Sequence, residues 1–282
     1  MMRMRFRSNW KKQIGQRSSV AFLLCAVFFA DTLNAEERIH AYFSNDSMNG
    51  LKFSDAYETH NMGLIYATDD YYVKLDLGIV SPDMYVYRNE YREPNRSFGE
   101  LISLEIGKPH NDKNAFRFYA RARATGEFGV DKLQDFAHRL LKLQPVNSIN
   151  NLIRMPEDIW FGVGLRSEFE PSLSALKDIK FHVDGFVGSD TASLTAKLTK
   201  QFHRPLFTYD FSVGGRFVAY DQVVSAPPIN AKERKVIPEA SFGISYNNGP
   251  YSVFLRDVFS LPSIRADNSL FGVFSAGVSY AF

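Results

Sequence analysis

The chain has 282 residues, with 33 Lys and Arg against 31 Asp and Glu and a single cysteine. So even a charge balance makes no case for nucleic acid as a partner, and one cysteine excludes a disulfide framework. No apolar run beyond the first thirty residues is long enough to cross a bilayer as a helix, so the chain is either soluble or crosses a membrane with strands.

Residues 1–35 read as an export signal. Arg3, Arg5, Arg7, Lys11, Lys12 and Arg17 give a basic start, residues 20–30 an apolar run, and Leu33-Asn34-Ala35 a cleavage site before Glu36. Cys25 lies inside that run, so the exported chain carries no cysteine. Six of the 33 basic residues but only Asp31 of the 31 acidic ones fall there, which leaves the exported chain at a net charge of −3. Residues 36–282 show no internal repeat, linker or low-complexity stretch and read as one domain.

Period-two alternation then recurs along the chain, at about 37–44, 61–68, 71–80, 98–107, 115–127, 159–169, 178–187, 191–202, 206–221, 236–246, 251–259 and 270–282. Tyr71, Val73, Leu75, Leu77 and Ile79 alternate with Tyr72, Lys74, Asp76 and Gly78. Phe116, Phe118, Ala120 and Ala122 alternate with Arg117, Tyr119, Arg121 and Arg123. In the last segment Leu270 to Phe282 is apolar at every second position and small or weakly polar at the others. One register suits lipid and the other a packed polar interior, which is the pattern of an outer-membrane barrel. The expected fold is all-β: a transmembrane antiparallel barrel of about 12 strands.

The connections give an independent test. With the start of the exported chain in the periplasm, the exits 45–60, 81–97, 128–158, 222–235 and 260–269 face outward and are long. The returns at 69–70, 108–114, 203–205 and 247–250 are short and rich in turn residues. Segment 170–177 is long for a return, and 188–190 is short for an outer loop. Arg117, Arg121, Arg123 and Lys197 are expected to pair across a plugged lumen rather than to line a channel.

Chemistry concentrates in the outer connections. Asn45-Asp46 offers hard oxygen ligands of the kind Ca²⁺ takes, and in isolation also reads as a turn. Thr59 and Asn61 open the second strand near the same rim. Arg88, Arg92 and Arg96 follow, as cations suited to phosphate groups or as a solvated loop. Within 128–158, Leu133, Ala137, Leu140 and Leu141 recur at helical spacing, which predicts a short helix over 130–143 held above the barrel mouth. Gln134 and His138 share a face of it, and an imidazole there suits a general base. No serine elbow, zinc-spaced histidine pair or phosphate loop is present.

Asn45-Asp46, Thr59 to Gly63, Ser81-Pro82, Arg96-Ser97-Phe98-Gly99 and Leu133-Gln134-Asp135-Phe136-Ala137-His138-Arg139 stand in an order and spacing that resemble the outer-membrane lipid A 3-O-deacylase family. The similarity is concentrated in residues 40–140. The resemblance implies a twelve-stranded barrel of Gram-negative bacteria that acts as a monomer on lipid A of lipopolysaccharide, with Ca²⁺ as cofactor. It implies His138 as the base that activates water, Arg88 near the family's catalytic lysine, and Asn45 and Asp46 at the metal. Asn61 or Thr59 would stand where the family has a threonine, with Gln134 and Arg96 in support. Ser47 and Gln144 stand where acidic residues are expected, which predicts weakened Ca²⁺ binding. Two other readings follow from the same residues: a catalytically lapsed barrel that binds lipopolysaccharide, and an outer-membrane phospholipase. The second would need a serine beside a histidine.

Overall fold

The computed structural model describes residues 37–45, 60–80, 98–109, 116–132, 136, 139, 154–170, 179–225, 232–261 and 271–282. The expected export signal lies outside these. Twelve strands form: β1 (Arg38–Asn45), β2 (His60–Ala67), β3 (Tyr72–Val80), β4 (Gly99–Gly107), β5 (Arg117–Gly126), β6 (Asp158–Phe169), β7 (Ile179–Gly188), β8 (Thr191–His203), β9 (Phe207–Asp221), β10 (Val236–Asn248), β11 (Tyr251–Ser260) and β12 (Phe271–Ala281). Every boundary falls within two residues of the one the alternation predicts. Each strand pairs antiparallel with its neighbour in sequence, and β12 closes on β1 from Arg38↔Ala281 to Asn45↔Phe274. Closure leaves no sheet edge, so the backbone of the spanning strands is paired within the protein, as a hydrocarbon environment demands. Among the described residues no helix is long and apolar enough to cross a membrane; the strands make the crossing.

Exposure fixes which register faces lipid. Phe118 is 73% exposed, while Arg117 and Tyr119 on either side of it are 7% and 6% exposed. The same parity carries around the wall through Phe161, Val163, Val187, Leu198, Phe211, Val253 and Val278, all exposed. Aromatic pairs gather at the short-turn end: Tyr66 with Tyr71, Phe116 with Phe169, Phe207 with Tyr246, and Tyr251 with Tyr280. Such rings mark the level where hydrocarbon meets water. Val163 lies midway along β6 on the lipid side. Val163→Arg is therefore expected to destabilise the barrel by about 2 kcal/mol, read as a shifted guanidinium unfolding midpoint in lipid vesicles.

The lumen-facing side of the wall carries both apolar and charged contacts. Toward the long-loop end, Val80, Met155, Trp160 and Val223 form a buried apolar cluster with Leu101 against it. Below it, charges cross-link the wall: Arg123 to Asp190 at 2.8 Å, Arg166 to Asp184 at 2.8 Å, Lys197 to Glu239 at 2.6 Å, and Arg256 to Asp210 at 3.0 Å. His182 pairs with Glu168 at 3.0 Å, and Tyr119 Oη donates to Asp184 Oδ1 at 2.7 Å. Inward-facing glycines make room for rings from the next strand. The Tyr42 ring lies where a Gly63 side chain would be, and the Tyr119 ring where a Gly164 side chain would be. The short outer turn at 189–190 has a structural reason. Asp190 folds inward, is 1% exposed, and holds Arg123 together with Arg121 at 3.8 Å. Arg121, Arg123 and Lys197 thus find acidic partners, on nearby strands or turns along the wall rather than across the lumen. Arg117 does not: its Nε and Nη2 are buried without a hydrogen-bond partner.

Candidate functional site at the outer rim

The long connections 46–59, 81–98, 127–157, 222–235 and 261–270 all leave from one end of the barrel, together with the short turn 189–190, and the shorter connections 68–71, 108–116, 170–178, 204–206 and 249–250 lie at the other. Long loops face the cell exterior in such barrels, so the rim at Asn45, Val80 and Gly99 is the outer one.

On the outer wall at this rim a polar brace interrupts the lipid-facing register. In β4, Leu104 and Ile106 are exposed on that face, and Glu100 continues the same alternation. Yet Glu100 is 1% exposed. Its Oε2 accepts hydrogen bonds from the backbone N–H groups of Phe128, at 2.7 Å, and Val130, at 3.0 Å. Residues 130–132, 136 and 139 are helical, so these donors stand at a helix start. The first turn of a helix leaves N–H groups without internal partners, and a carboxylate there satisfies them and complements the helix dipole. Ile79, Phe98 and Val130 pack together fully buried beside it, with Leu77 against them. That explains why Ile79, in an otherwise lipid-facing register, is 0% exposed.

The other end of the connection is tied to the same place. Asp131 is buried and meets Arg154 at 3.5 Å. Arg154 lies over the Phe98 ring at 5.2 Å, and the Met155 N–H donates to the Phe98 carbonyl at 2.7 Å. Thr125 receives the N–H of Asp158 at 3.0 Å and donates to the Pro156 carbonyl at 2.8 Å. The start of the helix is thereby seated against the lipid-facing wall. The sequence predicts a helix above the barrel mouth; its described start at residues 130–132 packs on the outside of the wall, on the register of Ile79 and Glu100.

The predicted site residues distribute as follows. Asn45 is the last residue of β1 and pairs with Phe274. Asn61 pairs with Ser44 and Gly78 and shares their lumen-facing register, and Ser44 is buried. The pairings Ser44↔Asn61, His60↔Ile79 and Ile79↔Glu100 run along one level of the rim, so the end of β1 stands three strands from the brace, roughly 14 Å along the wall. Asp46, Thr59, Arg88, Arg96, Gln134 and His138 lie outside the described residues. The structure adds Glu100, Asp131 and Arg154, which sequence reasoning missed. The signal was available for Glu100: a carboxylate in line with Ile102, Leu104 and Ile106 breaks a lipid-facing register.

Among the described residues no three His, Cys, Asp or Glu side chains gather closely enough to hold a metal ion. Glu100 Oε2 is committed to the helix amides and Asp131 to Arg154, while Glu100 Oε1 is buried without a hydrogen-bond partner. The described residues therefore do not form a Ca²⁺ site by themselves.

No family model matches the chain, and no curated protein matches it. Among solved structures, LpxR from Salmonella typhimurium matches with a TM-score of 0.66 at 14% identity, over 87% of this chain and 100% of that one. The translocator domain of the autotransporter NalP from Neisseria meningitidis matches with a TM-score of 0.47 at 9% identity, over 94% and 96% of the two chains. A KdgM porin matches with a TM-score of 0.40 at 7% identity, over 87% and 99%. This chain is an outer-membrane β-barrel whose twelve-stranded fold is like that of LpxR.

Proposed function

We propose that this barrel is a lipid A deacylase, a carboxylic ester hydrolase that releases the 3-O-linked acyl or acyloxyacyl chain in the outer leaflet. The observation that carries the reading is the brace at Glu100. It starts the helix of the 127–157 connection on the lipid-facing wall at the outer rim, where acyl chains meet headgroups. The segment with Gln134 and His138 continues from that brace.

In this reading His138 takes the proton from a water molecule as the water attacks the ester carbonyl, and Gln134 orients the imidazole. Carbonyl attack builds negative charge on oxygen, and a nearby cation offsets it. Arg88 has that role, with Arg96 on the lipid A phosphates. Asn45 and Asp46 are the proposed Ca²⁺ ligands, and when bound the ion would polarise the ester carbonyl. Thr59 and Asn61 belong to the substrate side. The protein acts as a monomer on lipopolysaccharide of its own membrane. A second reading, a lipopolysaccharide-binding barrel without turnover, is favoured by Ser47 and Gln144 at positions where the family has acids.

Mass spectrometry of lipid A separates the two. Cells that express the protein are expected to yield lipid A lighter by one 3-O-linked chain, and chelation of Ca²⁺ in isolated outer membranes is expected to stop its formation. Unchanged lipid A with a correctly assembled barrel would leave the binding reading in place.

A further inference from the structure

The tight-turn end of the lumen holds a cavity of about 440 Å³, lined among others by Tyr42, Lys74, Lys108, Arg117, Arg166 and His182. It lies in the half of each strand nearest the short turns, so its mouth faces the periplasm. The apolar cluster of Val80, Met155, Trp160 and Val223, with the Arg123–Asp190 pair below it, lies on the exterior side of it. The cavity forms a cup at this end and is separate from the rim where the proposed esterase site lies.

Charge in the cup is unbalanced once existing bonds are assigned. Glu105 and Glu168 are the acidic residues of the lining. Glu105 accepts from Tyr72 Oη at 2.7 Å and meets Arg166 at 3.4 Å. Glu168 meets Lys180 at 2.8 Å and His182 at 3.0 Å. Lys74 has Asp76 at 3.0 Å, which also receives the hydroxyl of Tyr42. Arg117 makes none of these bonds; the acid that acts on it is Glu168, already shared by Lys180 and His182. Arg117 is 7% exposed, its cross-strand partner is another cation, Arg166, and its Nε and Nη2 hydrogen-bond to nothing. Those two atoms form the side edge of a guanidinium, which receives both oxygens of one carboxylate or phosphate. As it stands that edge is packed away from water, and an unmatched buried donor on a charged group is costly. Rotation about the terminal torsions of Arg117 toward the cup, which it lines, exchanges that burial for two charge-assisted bonds.

We infer that the periplasmic cup binds a small anion presenting two oxygens, a carboxylate or a phosphate, on the Nε–Nη2 edge of Arg117, with Lys108 at its mouth. The anion also offsets the repulsion between Arg117 and Arg166. A bidentate fork distinguishes this site from diffuse attraction, because lysine matches the charge and not the geometry.

The test is calorimetric titration of the folded full-length barrel in detergent micelles with inorganic phosphate, acetate and chloride. The expected result is saturable one-to-one binding of phosphate or acetate, weakened roughly tenfold or more by Arg117→Gln and by Arg117→Lys. Chloride is expected not to compete at equal ionic strength. Binding of phosphate alone identifies a phosphate group as the natural ligand's anchor, and binding of acetate alone a carboxylate. Heat-modifiable gel migration verifies that both variants fold. Absence of saturable binding by either anion, or equal binding by wild type and both folded variants, overturns the proposal.

Discussion

His138→Ala is expected to lower release of the 3-O-linked chain from lipid A by at least about a hundredfold, with assembly of the barrel unchanged. Water is a weak nucleophile, and attack on an ester carbonyl requires a proton to leave as the new bond forms. His138 is the candidate that the resemblance and the helical spacing with Gln134 select together. Three other histidines in the described strands are otherwise engaged. His182 pairs with Glu168 in the lumen, His40 stacks on Phe254 at 5.1 Å, and His203 Nδ1 lies 3.2 Å from the Thr208 hydroxyl at the tight-turn end. None of these three stands at the outer rim, where His60 opens β2. Gln134→Ala, which alters orientation and leaves the base in place, is expected to cost less, roughly tenfold. The assay is lipid A mass spectrometry over time with purified protein in mixed micelles, and heat-modifiable migration verifies folding. Full activity in His138→Ala would remove the histidine from the mechanism.

The strands were legible because lipid imposes an unusually strict rule. Every second residue on the outside must suit hydrocarbon, so segments such as Phe116 to Arg123 declare both their geometry and their orientation. Tight turns with Asp69-Asp70 and Asn247-Asn248-Gly249-Pro250 then set the order, and closure of β12 on β1 follows from an even strand count. Partners separated far along the chain were not legible. Nothing local marks Asp190 as the residue that turns inward to Arg123, 67 positions away. Nor does the alternation reveal that Arg117 lacks an acceptor while Arg121 and Arg123 share one. At the rim the sequence motif pointed to a helix near His138. Its seat on the outer wall depends on Glu100 meeting amides 28 and 30 residues later, a contact that no periodicity encodes.

Glu100→Ala is expected to loosen that helix while leaving the barrel intact. The carboxylate accepts two amide N–H groups in a pocket walled by Ile79, Phe98 and Val130. Charge-assisted bonds of this type contribute about 1.5–3 kcal/mol each, and their loss leaves the amides of Phe128 and Val130 without acceptors in apolar surroundings. Local opening should become easier by about 3 kcal/mol or more, which corresponds to at least roughly a hundredfold faster amide exchange at residues 130–132. Amides of β9 and β10 on the far side of the barrel are expected to exchange at wild-type rates. Glu100→Gln retains one acceptor oxygen and should restore part of the protection. If the helix also carries the catalytic base, Glu100→Ala lowers kcat more than it raises KM, because the base is misplaced while the lipid surface that gathers the acyl chains persists. Unchanged exchange at residues 130–132 would show that the hydrophobic contacts of Val130 hold the helix without the carboxylate. Faster exchange with unchanged kcat would separate the brace from the chemistry.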